Sequence, residues 1–202
     1  MAAVVAVIGV GAAAMAQAAS DGFRPSKVIV LEAPQEQFEK RLIWDGKDID
    51  GDGAADFQNP TGKAPRIHDA YGHGWFGASR DGGTRDHEGV DYAGDAGAAA
   101  VAPISGYVTR IGQAYDNAPE LKYVEISNPA LGYEARVFYV RPQVVVGQAV
   151  VIGETIGKIA DLTRRYPGGM TNHVHLELMD RAGERIDSTT VITARVEMVP
   201  VI

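Results

Sequence analysis

The 202-residue chain contains no cysteine. That excludes disulfides and thiolate ligands, so any bound metal must sit on nitrogen and oxygen. Basic residues are the minority, 19 Lys and Arg against 26 Asp and Glu, and no long basic run occurs. The resulting net charge of −7 argues against nucleic acid or an anionic membrane surface as the main partner, since both select basic patches. The run Ala2 to Ala16 is short of the roughly 20 apolar residues that span a bilayer. Helix-like periodicity is scarce too, limited to a turn near Leu162 to Arg165.

What is present begins with a leader. Met1 to Ala19 is uncharged, rich in Ala and Val, and ends in Ala16-Gln17-Ala18, the small-x-small pattern that signal peptidase favours, although no Lys or Arg precedes the apolar run. Residues 1–19 therefore read as an export signal or N-terminal anchor, and residues 20–43 as an arm with one strand at Val28 to Leu31. The remaining length, 46% apolar over the whole chain, suffices for one globular domain with a sizeable core, at residues 44–190. Residues 44–85 are dense in Gly and Asp and read as loops. From Gly89 onward short β-branched or alternating runs are separated by Gly, Pro and Asn: Val90–Tyr92, Ala99–Val101, Gly106–Ile111, Tyr123–Ser127, Glu134–Val140, Ala149–Ile152, Ile156–Ile159 and His173–Met179. This spacing predicts an antiparallel β core, with residues 191–202 as a C-terminal strand or tail.

Three of the five histidines fall into two short motifs, His87-Glu88-Gly89-Val90-Asp91 and His173-Val174-His175. Side chains two apart on a strand share a face about 7 Å apart, so one imidazole can hold an ion while its neighbour works on what the ion holds. His87 and Asp91 are too far apart on a straight strand to share an ion, but Gly89 between them permits a bend. Two imidazoles and one carboxylate leave a fourth position open, which is the catalytic zinc pattern. Glu177 lies on the same strand face and is placed to orient an imidazole. His68 reads as an ordinary surface or core histidine, and His73 as a groove residue.

A second motif, Asp48-Ile49-Asp50-Gly51-Asp52-Gly53-Ala54-Ala55-Asp56, puts Asp48, Asp50, Asp52 and Asp56 at loop positions one, three, five and nine, with Gly at six. Such spacing wraps oxygens around calcium, although Asn59 stands where an EF-hand carries its bidentate Glu. A structural calcium ion is expected there, offsetting repulsion among the four carboxylates.

Four ordered blocks carry a family resemblance over about residues 70 to 190. They are His87-Glu88-Gly89-Val90-Asp91-Tyr92-Ala93, Val101-Ala102-Pro103-Ile104-Ser105-Gly106-Tyr107-Val108, Val146-Gly147-Gln148 with Ile152-Gly153-Glu154-Thr155-Ile156-Gly157, and His173-Val174-His175-Leu176-Glu177. The chain resembles the lysostaphin-type (LytM-type) zinc endopeptidases, with Phe76-Gly77-Ala78-Ser79-Arg80 similar to an upstream block of that family. The resemblance implies a mainly β fold, a twisted antiparallel sheet with long loops and little helix. It also implies zinc on His87, Asp91 and His175, His173 as general base, and peptidoglycan or another extended peptide as substrate, in the periplasm, cell envelope or extracellular space.

One element departs from the family. Where a Tyr-x-His element is usual, this chain has Phe138-Tyr139-Val140-Arg141-Pro142, so Arg141 takes the place of a second active-site histidine. Arginine cannot accept a proton at working pH, though Arg141, or Tyr139 nearby, could hydrogen-bond a developing oxyanion. The same segment, Gly72-His73-Gly74 and Tyr166-Pro167-Gly168 resemble the leukocyte cell-derived chemotaxin branch, regarded as non-peptidase. The expectation is a zinc metalloendopeptidase, and the alternative a non-catalytic zinc-containing module that binds wall peptides or a protein partner.

Overall fold

The computed structural model describes residues 37–201. The leader and the strand expected at Val28 to Leu31 lie outside the described residues. Gly, Pro and Asn break the described residues into fifteen strands: β1 (Phe38–Gly46), β2 (His68–Asp69), β3 (Gly72–His73), β4 (Ser79–Arg80), β5 (Arg85–Asp86), β6 (Val90–Ala93), β7 (Ala99–Val101), β8 (Gly106–Gln113), β9 (Lys122–Asn128), β10 (Tyr133–Pro142), β11 (Ala149–Val150), β12 (Thr155–Ile159), β13 (His173–Met179), β14 (Arg185–Ile186) and β15 (Ile192–Pro200). Helix is limited, among the described residues, to 3-10 turns at Asp81–Gly83, Leu162–Arg164 and Ser188–Thr190. None is long and apolar enough to cross a membrane.

Strands β6 to β14 form one nine-stranded antiparallel sheet, the mainly β architecture expected from the sequence. Its core is built by alternation: Val174, Leu176 and Leu178 of β13 are fully buried against Val124, Ile126, Val137 and Tyr92. Each such side chain taken out of water contributes about 1.5–3 kcal/mol. The alternate residues His173, His175 and Glu177 are buried too, on the opposite face, so β13 is covered by apolar core on one side and by the site on the other.

The sheet forks along β10. On one edge β10 pairs with β9 from Tyr133 to Val140. Along its other edge it pairs with β13 through Glu134–Phe138 and then with β12 through Val140–Pro142. Tyr139 sits at the crotch, skipped by the ladder with β9 as a bulge between Phe138 and Val140. The fork opens at the end of β13 that carries the two histidines.

Residues 38–43, expected as part of an arm, and residues 192–200, expected as a strand or tail, are the two partners of one ribbon, in register from Phe38↔Pro200 to Gly46↔Ile192. Pairing between distant ends of the domain leaves no local sequence signal. The ribbon is tied down by Trp44, whose ring meets Tyr92 edge-on at 6.0 Å and whose Nε1 donates to the Gly62 carbonyl at 3.0 Å.

Candidate metal centre

Antiparallel pairing of β6 with β13 places Asp91 directly opposite His175. His87 reaches the same point because the chain before β6 passes very close to β13 at Gly89. A Cβ on Gly89 would lie 2.3 Å from the Leu176 carbonyl oxygen and 2.8 Å from His175 Cε1, so only glycine fits. Gly89 lies outside the left-handed region, so the glycine is required for close approach rather than for an unusual turn. Gly74 serves similarly, its missing Cβ leaving room for Arg66 and Asp91.

The result is a triangle of donor atoms. His87 Nε2 lies 3.1 Å from Asp91 Oδ1 and 2.9 Å from His175 Nδ1, and His175 Nδ1 lies 2.9 Å from Asp91 Oδ1. A tetrahedral zinc with bonds of about 2.0–2.1 Å spaces its ligand atoms by about 3.3 Å, so small outward movements admit the ion.

Each imidazole is oriented by an acceptor on its far side. His87 Nδ1–H donates to the Trp75 carbonyl at 2.7 Å, His175 Nε2–H to Glu177 Oε1 at 3.4 Å, and His173 Nδ1–H to the Thr171 carbonyl at 2.7 Å. These partners cannot donate, so in the neutral rings the lone pairs of His87 Nε2, His175 Nδ1 and His173 Nε2 all turn toward Asp91 Oδ1. His173 Nε2 stands 3.6 Å from that oxygen. Lone pairs converging on a carboxylate call for a cation between them, so the donor set fits a divalent metal. The other Asp91 oxygen, Oδ2, is held by Arg66 Nε at 2.9 Å and Nη2 at 2.8 Å, with Arg80 Nη2 at 3.6 Å, leaving Oδ1 as the single free ligand atom.

The electrostatics agree. Burial pushes the Asp91 carboxyl up, but its bonds to His175 and His87 hold it well below the usual carboxylate range. Burial disfavours a charged His175, yet hydrogen bonds to Asp91 and Glu177 outweigh this and raise its pKa above 6.5. The cluster thus attracts positive charge, whether proton or metal ion. For His173 burial prevails over the pull of Asp91 and lowers the pKa, keeping the ring neutral.

Arg141 is exposed, pairs with Lys158 on β12, and is not among the residues that line the cavity. Tyr139 lines it instead. Its φ of 65° is costly for a bulky residue, and the bulge turns Phe138 and Tyr139 to the histidines in succession. Phe138 lies 5.3 Å from His175 and Tyr139 5.4 Å from His173, ring to ring. The Tyr139 hydroxyl is 2.7 Å from that of Tyr115, and burial raises both pKa values, to about 12 for Tyr115. Both remain protonated donors.

These groups floor a cavity of about 360 Å³ with Arg80 and Arg85 on one wall and Tyr115, Leu162, Tyr166 and Met170 on another. No motif singles out Arg66, 25 residues before Asp91, or Tyr115. His73 stacks on Trp75 at 3.7 Å and neighbours His68 at 4.5 Å, away from the cavity lining.

In the acidic loop, carboxylate oxygens of Asp48, Asp50 and Asp52 lie within 4.8 Å of one another. Asp56 falls outside that group and accepts from the Ile49 and Asp50 amides. Asp48 accepts from Gly51 and Gly53, Asp50 from Asp52, and Asp52 from Ala54. The loop's own amides thus supply part of the compensation expected of calcium.

The sequence model of Peptidase family M23 matches residues 85–188, which span the triangle and both sides of the fork. The chain belongs to peptidase family M23. A relative of this M23 chain, leukocyte cell-derived chemotaxin-2 of Bos taurus, is 30% identical over 116 residues, covering 57% of the chain and 73% of the relative. Among solved structures, Helicobacter pylori Csd3 in its hexagonal crystal has a TM-score of 0.50 at 20% identity, over 71% of this chain and 34% of Csd3. This likeness shows the fold, and the chain spans about a third of Csd3's length. A zinc containing peptidase from Vibrio cholerae matches 66% of this chain and 39% of its own, at 24% identity and a TM-score of 0.48.

Proposed function

We propose that this M23 protein is an exported zinc metalloendopeptidase that hydrolyses peptide bonds of peptidoglycan. The observation that carries the reading is the convergence of His87 Nε2, Asp91 Oδ1 and His175 Nδ1, with the lone pair of a neutral His173 beside them. Zinc on these three ligands supplies Lewis acidity toward the scissile carbonyl and the attacking water. His173 Nε2 accepts the proton from that water and returns it to the leaving amine, while Nδ1–H stays on the Thr171 carbonyl and fixes the ring. The protonated Tyr139 hydroxyl, backed by Tyr115, donates to the oxyanion. Arg66 holds Asp91 in its one-oxygen pose, and Glu177 orients His175. An extended peptide would lie across the cavity at the fork, hydrogen-bonding through its backbone as an added strand does. Export rests on the leader at residues 1–19 and peptidoglycan on the lysostaphin-type motifs.

A second reading, a zinc-containing module that binds wall peptides or a protein partner without cleaving them, is favoured by Arg141, which stands where a second histidine is usual, and by the chemotaxin relative. Incubating zinc-loaded protein with peptidoglycan and with glycyl and stem peptides separates the two. The peptidase reading expects amine release between pH 5 and 9, and binding with no release at any pH in that range overturns it. The proposal extends to calcium as a structural ion of the 48–56 loop, supported by the three clustered carboxylates. Excess calcium should raise the melting temperature of zinc-loaded protein, and an unchanged value removes this part.

A further inference from the structure

Arg80 and Arg85 stand directly opposite each other in the β4–β5 hairpin, and both line the cavity of the metal centre. Like charges directly across a strand pair destabilise it, so this two-residue hairpin holds an unfavourable contact at the wall of the site. The protein answers it only in part. Arg85 Nε donates to Asp81 Oδ2 at 2.6 Å, and its two terminal nitrogens meet no acceptor among the described residues. Arg80 gives Nη2 to the His73 carbonyl at 2.6 Å and Nη1 to the Ser79 carbonyl at 3.2 Å, with Nε lacking an acceptor among the described residues.

Nearby carboxylates are committed elsewhere. Asp91 is taken chiefly by Arg66 and the histidines and reaches Arg80 Nη2 only at 3.6 Å, and Glu177 is taken by His175, Arg136 and Arg185. Asp86, next along β5, lines a separate cleft with Glu88 and Glu184. The arginine wall is therefore a cationic spot on a chain of net charge −7, and such a spot concentrates anionic ligands. Arg80 is mostly shielded from water, its side chain 14% exposed, which strengthens any charge-assisted bond it makes. Burial, countered by Asp91, acts with the repulsion of Arg66 and Arg85 to lower its pKa.

We propose that Arg80 and Arg85 form a carboxylate subsite, so that the peptide bound at the metal centre carries a carboxylate on the β4–β5 side. The inference builds on the peptidase reading for the identity of the ligand, but its test reads binding, not turnover. Zinc-loaded full-length protein carrying His173→Ala is titrated calorimetrically with trialanine, with trialanine amide, and with the amide bearing a central glutamate. Trialanine should bind at least about tenfold more tightly than its amide, as expected for charge-assisted bonds. Adding Arg85→Gln should remove that preference, and Arg85→Lys should restore part of it. The preference should also shrink as salt rises from about 0.05 to 0.5 M. Recovery of affinity by the glutamate peptide would identify a side-chain carboxylate as the recognised group; no recovery would identify the chain terminus. Equal affinity for acid and amide overturns the subsite, as does a preference that survives Arg85→Gln, because the carboxylate would then sit on the metal or elsewhere. Discriminating binding without hydrolysis by the wild type would leave the subsite standing and remove the peptidase reading.

Discussion

Asp91 lies directly across the β6–β13 ladder from His175, one carboxylate oxygen 2.9 Å from Nδ1 and the other clamped by Arg66. This single carboxylate joins the metal triangle to a buried arginine. Asp91→Asn keeps the shape and removes the charge, so it should do two things at once. Zinc content should fall below about a tenth of an ion per chain, since a carboxamide is a poor zinc ligand. Unfolding free energy should drop by about 3 kcal/mol, the lower end for a broken buried pair, because Asp69 still faces Arg66. Metal analysis and denaturant unfolding check both, and full zinc occupancy in the variant would count against the ligand assignment.

Tyr139 and Arg141 offer a direct contrast, two residues apart on β10. Tyr139→Phe deletes only a hydroxyl and should lower kcat by about 10²–10³, the usual cost of losing one oxyanion donor. Arg141→Gln should leave kcat within about threefold, because Arg141 does not line the cavity. Steady-state kinetics of the two variants decide between them, and a larger loss at Arg141 would mean that the fork closes differently around substrate.

Alkaline pH should destabilise the protein in a defined window. Burial raises the pKa of Tyr92 and Tyr115 from 10.0 to about 12, and that of Tyr139 well above 10.0. The folded state therefore holds protons that the unfolded state releases, so stability is full below pH 10 and lost as pH rises toward 12. Melting curves across this range should show the decline, and Tyr115→Phe should make it shallower. A decline equally steep in the variant would show that Tyr115 titrates normally.

The sequence was most legible where one strand carries two periodicities. In β13 the order His173-Val174-His175-Leu176-Glu177-Leu178 announces an apolar face and a polar face, and both are buried as that alternation implies. Asp91 and His175 could be paired by motif order, and Glu177 by period two. Long-range or backbone features were not legible: the β1–β15 ribbon joins distant segments, and the Trp75 and Thr171 acceptors are carbonyls that any residue would offer. Arg141 stands where the family resemblance puts a second histidine, and resemblance along the chain does not say which side chain faces the cavity. The bulge that turns Tyr139 to the histidines, and its positive φ, cannot be read from a Phe-Tyr-Val-Arg sequence.

The most direct test compares wild type with His173→Ala for zinc stoichiometry and peptide hydrolysis in the same preparations. Both proteins should hold about one zinc per chain, since His173 is not one of the three ligands. Only the wild type should hydrolyse peptide, with a loss of about 10²–10⁴ in the variant, the span expected for a general base. Undiminished hydrolysis in zinc-loaded His173→Ala would contradict the account.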